Sequence, residues 1–196
     1  MDNQLKYLEE WKELASHGNF KLAENLYYDK LFHEVIDKFS DQFSTLFPEE
    51  NKVLISMLGF SPEPLILTAK AVNPDHHFIV TTEVRDDIIN RIEEYIGSDF
   101  ELVILKDSKF QTVYKTLKEI YINQSDSNIT LDITGGKKAT VASAAIFGKD
   151  YRAKITYVDF KDYIKELRKP LPGTEFINIV YDPNKDQPEL NYYQIV

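Results

Sequence analysis

The chain contains no cysteine, which excludes disulfides and any zinc site built on thiolates. Histidine is scarce too: the four lie at positions 17, 33, 76 and 77, so nothing beyond His77 can supply an imidazole. No apolar run is long enough to span a bilayer, and Met1 opens no charged-then-apolar leader, so a cytoplasmic protein is expected. Positive charge is in deficit. A net charge of −9 works against binding long nucleic acid, which requires many phosphates to be neutralised. A compact anion is still admissible, because a lysine pair in a walled turn sets its own local field.

What is present is an ordinary globular composition, 43% hydrophobic and 28% charged over 196 residues, enough for one domain with an appendage. Residues 1–47 carry helical periodicity. Leu5, Leu8, Trp11 and Leu14 mark one apolar stripe, and Leu22, Leu26, Leu31, Val35, Ile36, Phe39 and Phe43 another, broken at His17-Gly18-Asn19. The spacing predicts two helices in a hairpin or elbow. Residues 1–50 are therefore expected to form an N-terminal helical extension and residues 51–196 the main domain.

From residue 53 the pattern alternates. Strand-length apolar runs at 53–58, 76–82, 100–105, 129–133 and 155–159 are separated by stretches of helical periodicity at 65–72, 85–96, 110–121 and 139–148. Such alternation predicts an α/β, Rossmann-like, mostly parallel sheet with helices on both faces. Past Asp159 the pattern changes, and 176–181 and 190–196 are expected to form a C-terminal antiparallel pair.

The chemistry is expected in the turn Asp132-Ile133-Thr134-Gly135-Gly136-Lys137-Lys138-Ala139-Thr140, between a strand and a small-residue helix. Two glycines admit backbone N–H groups to a ligand, the helix N-terminus favours negative charge, and the lysines add cations. Thr134 and Thr140 could donate hydroxyl hydrogen bonds to the same oxygens, while Asp132 could orient the loop or accept from a sugar hydroxyl. The run is neither a Walker A loop nor a dinucleotide G-x-G-x-x-G. Glycines kept for geometry and lysines kept for solubility are the plain alternative. A second loop, Gly59-Phe60-Ser61-Pro62-Glu63-Pro64, weighs against that alternative, because it leaves the first strand as the lysine turn leaves the fourth. In doubly wound sheets ligands bind where those two strands diverge. Glu63 reads as a helix N-terminal charge or a sugar-hydroxyl acceptor, and Arg168-Lys169 as a surface cation pair.

These two loops, together with Arg168-Lys169-Pro170-Leu171-Pro172-Gly173-Thr174-Glu175, resemble the motifs of a CARF domain, the CRISPR-associated Rossmann fold of type III CRISPR ancillary proteins. The resemblance runs over about residues 53–180. It implies a homodimer with one composite pocket for a cyclic oligoadenylate, tetra-adenylate first and hexa-adenylate second, with no cofactor and no metal. Gly59, Phe60, Ser61 and Pro62 would line the ring, and Thr134, Gly135, Gly136, Lys137 and Lys138 would hold phosphates. Thr82 and Asp107, at the ends of the second and third strands, are carried as adenine or ribose contacts.

The resemblance also implies an output. No effector motif is recognisable, so the chain is expected to be a sensor of type III CRISPR antiviral signalling, or a piece of a longer protein, membrane-attached if a spanning segment was omitted. The alternative is a slow ring nuclease without metal, in which the ribose 2′-hydroxyl attacks and Lys137 or Lys138 stabilises the developing charge. An unrelated Rossmann protein for a mononucleotide is the third reading.

Overall fold

The computed structural model describes residues 5–167 and 169–187. Two helices, α1 (Leu8–Ser16) and α2 (Phe20–Leu26), are followed by a π turn (Tyr27–Leu31) that runs directly into α3 (Phe32–Phe43). The break falls at His17-Gly18-Asn19 as expected. The π turn inside the second stripe was not expected, since one inserted residue leaves the apolar spacing nearly intact.

The main sheet has six strands in the order β3-β2-β1-β4-β5-β8. These are β1 (Lys52–Met57), β2 (His76–Thr81), β3 (Glu101–Ile104), β4 (Asn128–Asp132), β5 (Lys154–Phe160) and β8 (Glu175–Tyr181). The first five are parallel, and β8 runs antiparallel to β5. The Rossmann-like fold is therefore present. The antiparallel partner of 175–181 is β5, and residues 190–196, with Arg168, lie outside the described residues. A short hairpin of β6 (Tyr163–Ile164) and β7 (Lys169–Pro170) projects between β5 and β8.

Helices cover both faces. α4 (Glu63–Val72) and α5 (Asp86–Ile96) share one buried cluster with the N-terminal helices, and α6 (Phe110–Asn123) and α7 (Lys138–Asp150) share the other. The alternation of β1 sorts its side chains between them. Leu54 joins the first cluster, and Val53, Ile55 and Met57 join the second, so a continuous apolar run is what a strand buried on both sides requires.

The consequence for function is local. β1 and β4 are neighbours in register, Ser56 opposite Asp132. The chain leaving β1 turns to α4 on one face, and the chain leaving β4 turns to α7 on the other. Their exits part there, leaving a crevice at the carboxyl edge.

Candidate functional site

The two exit loops interlock backbone to backbone. A Cβ placed on Gly135 would lie 2.2 Å from the Met57 carbonyl oxygen and 2.7 Å from the Gly59 nitrogen, and one on Gly59 would lie 2.8 Å from the Gly136 nitrogen. Only hydrogen fits at these positions. Gly136 in addition holds φ +92°, a left-handed conformation that side chains resist. Glycine is thus required by contact as well as by rotation.

Above the interlocked loops lies a cavity of about 350 Å³. Gly59, Phe60 and Ser61 from the first loop, Thr81 to Glu83 and Arg85 from the β2 exit, and Thr134 to Lys137 with Thr140 from the lysine turn form its walls. Phe60 stands on the lip, 79% exposed. Lys137 is the extended residue before α7, and no side chain caps that helix. The amide N–H groups of the first turn of α7, which have no acceptor within the helix, are left for a ligand. The hydroxyl of Thr140, a residue 3% exposed, has no hydrogen-bond partner among the described residues. The dipole and Lys137 give the lysine-turn end of the crevice a positive bias, while Glu83 and the Asp87-paired Arg85 line its β2 side.

Asp132 is fully buried beneath the turn and works on it from inside. Its Oδ1 accepts from the Thr134 N–H at 3.0 Å and from the Thr134 hydroxyl at 2.5 Å. The Thr134 Oγ1 in turn accepts from the Val158 N–H at 2.8 Å, tying the turn to β5. The one hydroxyl hydrogen of Thr134 is therefore committed inside the fold. This corrects the expectation that it donates to a phosphate. Burial pushes the Asp132 carboxyl up to about 6, against which the Thr134 bonds pull downward. Thr68 stands near, but its hydroxyl donates to the Pro64 carbonyl at 3.0 Å, and Oδ2 of Asp132 has no hydrogen-bond partner among the described residues.

That burial has a measurable pH signature. Between the ordinary carboxylate value of 3.8 and about 6 the folded protein holds a proton that the unfolded chain has released. Stability from this group is complete below the unfolded value and is lost as pH rises through the folded one, a fall of about 3 kcal/mol. Asp132→Asn keeps the Oδ1 acceptor without the charge. It is expected to remove this slope from melting temperature against pH between about 4 and 6 and to match or exceed the parent at neutral pH. An unchanged slope would show that another group titrates.

The other expected residues fall into place as follows. Thr82 lines the cavity. Pro62 is buried at the start of α4, and Lys138 is exposed on the first turn of α7, outside the cavity walls. Asp107 does not reach the cavity. Its Oδ1 accepts from the Lys109 N–H at 3.0 Å, in the turn that leads into α6. Arg85 was missed by sequence reasoning, because it precedes Asp86-Asp87 and was absorbed into an amphipathic helix. Its position just beyond the β2 carboxyl end was the available signal. It holds an exposed pair with Asp87 at 2.7 Å.

Fold and site together define a Rossmann-type domain with a glycine-lysine turn at its switch point. No protein-family model matches the sequence. The chain is 27% identical over 150 residues to the CRISPR system endoribonuclease Csm6 of Thermus thermophilus, which covers 74% of this chain and 32% of that protein. Among solved structures, protein VC1899 of Vibrio cholerae superposes with a TM-score of 0.50 at 11% identity, over 57% of this chain and 31% of that one. Can2 of Sulfobacillus thermosulfidooxidans, solved with cyclic tetra-adenylate, gives 0.49 at 17% identity over 55% and 32%. Enterococcus italicus Csm6, solved with cyclic hexa-2′-fluoro-hexa-dAMP, gives 0.46 at 12% over 60% and 35%. The similarity to a CRISPR system protein agrees with the resemblance to a CARF domain that its three motifs carry. The chain spans about a third of the length of the relatives it matches.

Proposed function

We propose that this chain is a sensor domain that binds a cyclic oligoadenylate, cyclic tetra-adenylate first, in type III CRISPR antiviral signalling. The observation that carries the reading is the interlock of Gly59 with Gly135 and Gly136, which sets an uncapped α7 N-terminus and Lys137 around one cavity. Csm6, a relative by sequence, is a CRISPR protein, which agrees with this setting. The ring binds at the isologous interface of a homodimer, each protomer presenting the same turn to half of a two-fold ligand. Residues 51–196 form the sensing unit and residues 1–50 extend it. Binding shifts the pairing of the two protomers and so signals to an effector.

The test is titration of the chain with cyclic tetra-adenylate, with calorimetry for affinity and native mass spectrometry for composition. One ring per two chains is expected. A ring bound by a single chain would refute the composite pocket, and absence of binding to tetra- and hexa-adenylate rings would refute the ligand class.

A further inference from the structure

A second cavity, about 490 Å³, lies behind the first, enclosed by the N-terminal helices, the start of α4, the end of β5 and the β6–β7 hairpin. Ser61, Pro64 and Thr134 belong to the walls of both. The charge balance of the two differs. The first carries Lys137 and the Asp87-paired Arg85 against one carboxylate, Glu83; the second carries four carboxylates, Glu24, Glu63, Asp159 and Glu175, with Lys169 as the cation among its described walls. Five aromatic residues, Trp11, Tyr27, Tyr28, Tyr157 and Phe160, line it beside prolines and aliphatic side chains.

These walls are braced. The Tyr28 hydroxyl donates to Glu63 Oε1, and the guanidinium of Arg91 stands 3.8 Å over the Tyr28 ring. Tyr27 stacks on Phe32, centroids 5.4 Å apart. The Gly173 N–H donates to Glu175 at 2.7 Å. The π turn that supplies Tyr27 and Tyr28 is an insertion of the kind that recurs at functional sites.

We infer that the second cavity is an adenine slot, with Glu63 accepting a hydrogen bond from the exocyclic amine of the base. This rests on the ligand class proposed above and goes beyond it, since it assigns the base to residues outside the turn. Electrostatics sorts the nucleotide: its phosphate goes to the lysine side and its neutral, amine-bearing base to the acidic side. Aromatic faces bind any base by stacking, so they supply affinity without discrimination. A carboxylate whose Oε1 is already held by Tyr28 supplies the discrimination, because a base without the amine leaves its other oxygen unpaired.

The test compares cyclic tetra-adenylate with the same ring built from purine riboside, which lacks only the amine. Trp11 is the one tryptophan of the sequence and lines the slot, so its fluorescence reports occupancy directly. The parent protein is expected to show a Trp11 signal with the adenylate ring and to bind the amine-free ring at least about tenfold more weakly. Glu63→Gln, whose amide still accepts but without charge, is expected to narrow that ratio to about threefold. Tyr157→Ala keeps the test open if Glu63→Gln fails to fold, and is expected to weaken both rings about tenfold while leaving their ratio unchanged. Adenylate binding seen by calorimetry without a Trp11 signal overturns the slot alone, as does a full ratio in Glu63→Gln. Binding of neither ring overturns the ligand class and the slot with it.

Discussion

Gly135→Ala is expected to melt roughly 6–12 °C below the parent protein, a loss of about 3 kcal/mol, and to bind ligand poorly at temperatures where it remains folded. The new methyl group would lie 2.2 Å from the Met57 carbonyl oxygen and 2.7 Å from the Gly59 nitrogen. Neither obstacle is a side chain that can rotate away. Leu58, between them, donates its N–H to the Val80 carbonyl at 2.9 Å, so retreat of the β1 exit breaks the ladder to β2. A rearrangement that spares the ladder must instead push the lysine turn outward, away from Gly59, which dismantles the cavity floor. Gly18→Ala is the control. Its site has φ +78° and nothing within 4 Å of the added carbon, so only backbone strain of about 1 kcal/mol applies. If both variants melt alike, the loops do not interlock as described.

The sheet was legible because a strand buried on both faces must be largely apolar, and Val53 to Met57, polar at Ser56 alone, has no other use. The switch point was legible for a related reason: two glycine loops leaving the first and fourth strands have meaning only if those strands are neighbours, which the register of Ser56 on Asp132 bears out. What the sequence concealed depends on distant partners. Thr134 looks like a phosphate donor until Val158 and Asp132 are found to occupy its hydroxyl. Asp107 looks like a site residue until the Lys109 N–H claims it. The second cavity draws walls from residues as far apart as Trp11 and Glu175, and its aromatics, read one at a time, are indistinguishable from core. The π turn is hidden because periodicity registers the helix and not the inserted residue.

Lys137→Ala is expected to weaken cyclic tetra-adenylate binding by about 1.5–3 kcal/mol per lost charge-assisted contact, roughly 10- to 150-fold, while leaving melting nearly unchanged. Lys137 lines the cavity, is exposed and makes no ion pair among the described residues, so its removal costs the fold little. Lys138 differs by one position and by geometry. It lies outside the cavity walls, and through solvent its charge is screened within about 8 Å at physiological salt, so Lys138→Ala is expected to lose only a few-fold. The ordering separates direct contact from general positive field. If the field alone mattered, the two variants would fall together, and added salt would erase both deficits. If Lys137 touches phosphate, its deficit persists in salt, while the residual affinity of Lys137→Ala measures what the open α7 N-terminus contributes through its own N–H groups. Equal losses, or a larger loss at Lys138, would move the phosphate off the cavity floor and onto the outer face of α7.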